Sequence, residues 1–340
     1  MMFSDFGKLA LQQAGKRRAS YADVRISEIL NEVLTVKDGE PESVNLLQTK
    51  GFGVRVIKDG AWGFAGSVVM SKEEVLNTVE RAVEIAEASA LLKKRESVLI
   101  PEEARRDKYS TPIMKDPFEC PLEEKLDVLV QASRTLKEHS SLIKASYGYY
   151  HGFKENKLFI STEGADINQQ ITWCGGGLTA IAVKNGEMQS RSYPSGFRGD
   201  FATSGYEFFE SLVLPDHAKE IGKELISLFE AEKPPPEEKD LILTGDQLAL
   251  QTHESCGHPT ELDRALGTEA DYAGTSFLTP EKLGKFRYGS ENVNIAADAT
   301  VPRGLGTFGY DDEGTRAKKV YLIRREYSWD TRAHARQPLS

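Results

Sequence analysis

The sequence holds little that would staple a fold, span a bilayer or grip a polyanion. Its three cysteines, Cys120, Cys174 and Cys256, are an odd and widely spaced set in a 340-residue chain. That excludes a small disulfide-stapled scaffold and points to a reducing, cytoplasmic setting. No window approaches the ~18 apolar residues of a membrane-spanning helix, and residues 1–18 lack an apolar stretch of signal-peptide length. Positive charge is in deficit, with 43 Lys and Arg against 52 Asp and Glu for a net −9, so neither nucleic acid nor an anionic membrane is an expected partner. The basic runs Lys93-Lys94-Arg95 and Lys318-Lys319 are isolated and expected to be solvated. Three glycines follow Cys174, but no Lys-Ser/Thr and no helix come after them, so a bulged strand is expected rather than a phosphate loop.

What remains, 39% hydrophobic and 28% charged residues, is the composition of an ordinary folded chain. The length suits two domains, because single cores seldom grow past roughly 250–300 residues. Residues 22–37 alternate with Val24, Ile26, Val33 and Val36, the period of a half-buried strand. Residues 51–57 and 62–69 alternate likewise around Asp59-Gly60, a hairpin signal. Ser71 with Glu74 forms a capping box ahead of Val75, Leu76, Val79, Ala82, Val83 and Ala86 at helical spacing. Residues 95–120, with three prolines and no periodicity, are expected to be a connector. A helix from Pro121 to Leu136 follows, then strand text at 143–150, 157–160, 169–172 and 178–193, turning at Asn185-Gly186, and a helix at 217–229.

Antiparallel sheet with helices on one side predicts an α+β fold. Pro234-Pro235-Pro236 marks the expected boundary between an N-terminal α+β region, 1–233, and a C-terminal β domain beginning at 237. The first region divides into units at 20–95 and 121–230; the second domain is expected to be irregular and β-barrel-like, but incomplete.

Chemistry concentrates at His253-Glu254-Ser255-Cys256-Gly257-His258. A catalytic zinc takes imidazole ligands and keeps a position for water, and an adjacent carboxylate such as Glu254 can serve as the base. His253 and His258 are five residues apart. On a regular helix five steps of 100° splay the side chains by about 140°, so the backbone must distort. Gly257 and Pro259 stand where a π-type bulge or a helix end is required. Glu261 and Asp263 are placed to orient imidazole N–H groups. The bland alternative is a histidine pair satisfied by carbonyls and water. Cys256 would be cramped as a third ligand between the histidines and reads better as a small packing residue.

These residues resemble the TldD/PmbA family of zinc-dependent peptidases. The similarity also takes in Gly51-Phe52-Gly53-Val54-Arg55, Ser161 to Gly164, Gly289-Ser290 and Gly306 through Thr315, covering residues 20 to 323. It implies zinc held by His253 and His258, Glu254 as base, and cleavage of unfolded or extended peptides. It also implies a homodimer, or a heterodimer with a PmbA-like subunit. The loop Tyr310-Asp311-Asp312-Glu313-Gly314 is expected to be structural, with a site-lining role as the alternative. By the same resemblance a third ligand, a cysteine, is expected far towards the C-terminus, and none follows Cys256. Residues 324–340 break the strand pattern, so a frameshift or truncation near Ile323 is expected. The competing reading is a catalytically impaired regulatory or assembly subunit.

Overall fold

The computed structural model describes residues 3–93, 96–196, 199–325 and 327–328. Helix α1 (Phe3–Lys16) precedes a meander of β1 (Tyr21–Lys37), β2 (Glu40–Lys58) and β3 (Ala61–Ser67), then α2 (Lys72–Ala90). Strand β4 (Arg106–Ser110) and α3 (Leu122–Glu138) lead into the long strands β5 (Ile143–Ser161) and β6 (Asp166–Lys184). Strands β7 (Glu187–Tyr193) and β8 (Asp200–Ala202), with helices α4 (Tyr206–Ser211) and α5 (Leu214–Ser227), complete this part. All eight strands join one sheet of order β3-β2-β1-β5-β6-β4, with β7 and β8 also on β6. Only β4 lies parallel to its neighbour. The fold is α+β.

Local sequence explains the meander. Asp38-Gly39, Asp59-Gly60 and Asn185-Gly186 each place two successive residues at positive φ, the twist of a two-residue hairpin turn. Ser71 caps α2, its hydroxyl accepting the Glu74 N–H at 3.1 Å. On β1, the residues facing the helices are Val24, Ile26, Leu34 and Val36. Val24 and Ile26 pack with α1 and α2, while Leu34 and Val36 pack with α3 and α5. The alternation predicted Val33 on that face; strict two-residue periodicity buries Leu34 instead. Between the two clusters the buried Lys125 of α3 pairs with Glu32 of β1.

Two further expectations are corrected. The presumed connector at 95–120 contributes β4, whose five exposed or half-buried residues lack the apolar alternation that announces a strand. The glycines after Cys174 form no bulge: β6 runs through them in unbroken register against β5. They are needed for close approach instead, since a Cβ at Gly175 would stand 2.0 Å from the Asp200 carbonyl and one at Gly176 would strike Tyr149 and Phe209.

Past the exposed prolines 234–236 come helix α6 (Gly245–Thr252) and a small antiparallel sheet of β9 (Ile295–Asp298), β10 (Lys319–Arg324) and β11 (Tyr327–Ser328). No closed barrel forms among the described residues. The expected aberrant tail at 324–340 falls mostly outside them, but Arg324 still belongs to β10 and pairs with Tyr327. The 309–315 loop lies on the sheet face opposite the helices, where Tyr310 packs with Phe159 and Ile167. No helix among the described residues is long and apolar enough to cross a membrane.

Candidate metal centre

At His253 the helix changes pitch. Residues His253–Gly257 form a π turn, and the His258 N–H reaches back to the His253 carbonyl, an i→i+5 bond. That bond stacks residues five apart one above the other. The two imidazole rings therefore converge, with centroids 4.3 Å apart and planes at 70°. Ligand atoms of His253, Glu254 and His258 all lie within 4.8 Å of one another. Among the described residues this is the one such group of three.

The expected part of Gly257 is not what holds the turn open. Gly257 sits at φ −55 and ψ −63 and His258 at φ −61 and ψ −45, ordinary right-handed helix even ahead of Pro259. A Cβ on Gly257 would meet nothing nearer than 3.6 Å. The cost of a π turn before proline lies in the carbonyls, which lose their usual donors. Pro259 has no N–H for the Ser255 carbonyl, and the Tyr288 hydroxyl donates to it at 2.8 Å. Thr260 Oγ1 reaches the carbonyls of Cys256 and Gly257 at 2.8 and 3.0 Å. Burial pushes the Tyr288 phenol pKa up, with the Cys256 thiol adding to the effect, so the hydroxyl stays a donor. Nothing in the sequence marked Tyr288; Thr260, four residues past Cys256, was a signal that reasoning from the histidines passed over.

Cys256 is fully buried against Leu322 and Ile323 of β10. It is a packing residue, and it pins the inner side of the turn so that His253 and Glu254 face outward, their side chains 57% and 58% exposed. Glu261 lies where the sequence suggested: its Oε1 is 2.9 Å from His258 Nδ1, and its other oxygen is 2.7 Å from Arg264 Nε. A carboxylate there fixes the tautomer with Nδ1 protonated and leaves Nε2 to face an ion. Asp263 is tied to Thr268, whose N–H and hydroxyl both donate to its carbonyl at 2.9 Å. Elsewhere, His151 pairs with Asn31 at 2.6 Å and His217 stacks on Tyr193, so neither belongs to this group.

The 309–315 loop is bound to the sheet. Gln169 accepts the N–H groups of Gly309 and Tyr310, both at 2.9 Å, and donates to the Tyr310 carbonyl. The Tyr310 hydroxyl bonds Asp107. Arg55 stands 2.7 Å from buried Asp23 and 2.8 Å from Glu313, while Lys157 and Arg25 hold Asp312. Gly314 allows this seat: its φ is +78, and a Cβ would press on Phe159 at 2.6 Å.

Sequence models for domain 1, the central domain and the C-terminal domain of the PmbA/TldA metallopeptidases match residues 22–86, 115–229 and 238–325, in that order. The chain belongs to the PmbA/TldD family. Among curated members, a metalloprotease of Methanocaldococcus jannaschii is 30% identical over 305 residues, which are 89% of this chain and 63% of that one. A zinc metalloprotease TldD homolog of Saccharolobus solfataricus is 23% identical over 324 residues, 92% of this chain and 64% of its own. The chain thus spans less than two thirds of these relatives. Among solved structures, a candidate DNA gyrase modulator of Thermotoga maritima superposes with TM-score 0.71 at 19% identity, over 97% of this chain and 70% of its own. TldE of Thermococcus kodakarensis superposes with TM-score 0.62 at 16% identity, over 95% and 68%. These share the fold.

Proposed function

We propose that this PmbA/TldD family chain is a zinc-dependent peptidase that cleaves unfolded or extended peptides. The convergence of His253, His258 and Glu254 on one point across a π turn carries the reading. Two imidazoles are donors that suit zinc, the Glu254 carboxylate stands beside them, and their exposure leaves room for an ion, water and an extended chain. His253 and His258 hold the ion through ring nitrogens, and Glu261 keeps the His258 ring in the tautomer that presents Nε2. Zinc, when bound, supplies a Lewis acid that activates water and polarises a carbonyl. Glu254 takes the proton of the attacking water on a carboxylate oxygen and passes it to the departing amine. By analogy with the TldE and TldD-named relatives, the working form pairs this chain with a second copy or with a PmbA-like subunit, and the setting is cytoplasmic.

Zinc stoichiometry of the purified protein, measured beside cleavage of an unfolded protein, tests this. Zinc near one per chain is expected, with cleavage lost on chelation and reduced about 10²–10⁴-fold by Glu254→Gln. Persistence of cleavage in Glu254→Gln would overturn the assignment of the base. A second reading follows from the same donor set: with Glu254 as base, only two close protein ligands remain among the described residues. A non-catalytic assembly subunit then fits, and a folded protein with near-zero zinc selects it.

A further inference from the structure

The carboxylate behind His258 is itself held. The chain leaves the π turn through a tight turn at His258–Thr260 and then a single helical turn, α7 (Leu262–Ala265). Glu261 stands between the two as the N-cap of α7: its backbone is extended at φ −66 and ψ 123, and its carbonyl accepts the Ala265 N–H at 2.9 Å. Leu262 beside it is 3% exposed and anchors the turn. Successive steps of three residues put His258, Glu261 and Arg264 in a row. One oxygen of the Glu261 carboxylate lies 2.9 Å from His258 Nδ1, and the other lies 2.7 Å from Arg264 Nε. That Nε is closed to solvent and has no aligned hydrogen-bond partner among the described residues, so the Glu261 oxygen is the group that compensates it at close range. An ion pair with one atom sealed from water is screened less than an exposed one. The Glu261 side chain is 39% exposed, and a carboxylate that open, if nothing held it, would rotate and exchange its partner for water.

We propose that Arg264 is a positioning residue: by holding the far oxygen of Glu261, it keeps the near one on His258 Nδ1 and so leaves Nε2 of that ring bare. Arg264 acts through Glu261 and is no ligand. The guanidinium suits the task, because it is always charged and its planar N–H groups are fixed in direction. Glu261 lies outside the close group of His253, Glu254 and His258, so both its oxygens serve to orient the ring. The purpose of the arrangement rests on the reading of His258 as a metal ligand, but the row of three residues stands without an ion.

The tautomer of His258 tests this, read from ring nitrogen chemical shifts of the metal-free full chain at about pH 8.5, where an ordinary imidazole is neutral. The wild type should hold mostly the form protonated on Nδ1. Arg264→Met should lower the ratio of that form to the other about fivefold, while His151, paired with Asn31 away from this site, keeps its shifts. Arg264→Lys, which retains the cation, should recover most of the ratio. Zinc affinity, measured by competition with a chelator, should weaken about tenfold in Arg264→Met. An unchanged ratio in Arg264→Met overturns the proposal. So does an equal loss in the Met and Lys variants, which would make Arg264 a packing residue. If Arg264→Met does not fold, Arg264→Gln takes its place under the same criteria. A wild type that binds no zinc yet shows the Arg264-dependent ratio defeats the peptidase reading and leaves this one standing. Zinc bound by a chain whose ratio ignores Arg264 does the reverse.

Discussion

The C-terminal part of the chain makes two attachments of opposite character. The 309–315 loop meets the large sheet through buried, charge-assisted contacts: Tyr310 is 6% exposed, Gln169 makes two hydrogen bonds to Tyr310 and one to Gly309, and Arg55 sits between Asp23 and Glu313. The histidine-bearing segment has no buried residue in α6 and hangs on Cys256 and Thr260. The first contact fixes position and is closed to solvent. The second stays open to solvent, as the proposed metal site requires. Low local contact density goes with function, high density with placement.

Removing the centre of the closed contact should show the contrast most strongly. Arg55→Ala leaves Asp23 and Glu313 with far less compensation and should lower unfolding free energy by about 3 kcal/mol, read by denaturant titration, with zinc stoichiometry unchanged. A cost under about 1 kcal/mol, the range of exposed pairs, would make the loop a surface feature and erase the distinction. Gln169→Leu strands two N–H groups and should cost about 2 kcal/mol. Tyr288→Phe works on the open side instead. Losing the donor to the Ser255 carbonyl should cost only about 1 kcal/mol, yet hydrogen exchange at 253–258 should quicken and zinc binding should weaken about tenfold. Equal zinc affinity in Tyr288→Phe would mean that the π turn needs no external support.

The smallest effect is a pH dependence confined to the sheet half. Burial raises the Glu207 carboxyl pKa, but the N–H groups of Lys115 and Gly205 and the Ser204 hydroxyl outweigh it, bringing it from 4.5 to about 2. A depressed acid contributes stability above its ordinary pKa and loses it as pH falls towards the folded value. The acid limb of unfolding between those values should therefore flatten in Glu207→Gln, while the exchange rates of 253–258 stay as they are.

Much of this was legible in the sequence. Turns with Asn or Asp before Gly, the Ser71 cap and the helix periodicities are local, and local chemistry set them. The π turn was legible too, since a five-residue spacing allows few alternatives. Its mechanism was not, because the group that satisfies the Ser255 carbonyl comes from Tyr288, remote in sequence. Asp38-Gly39 was passed over because residues 40–50 that follow are exposed and show no apolar alternation, so the long first hairpin read as two separate strands. The docking of 309–315 depends on Asp23, Arg55, Asp107 and Gln169, drawn from four strands that only the topology brings together.

The hydroxyl of Tyr288 has one more consequence. Because a carbonyl inside the hexapeptide is served by a residue from another loop, the hexapeptide is no portable cassette. Grafted onto an ordinary helix in a foreign scaffold, it would wind to regular pitch and turn its two rings apart.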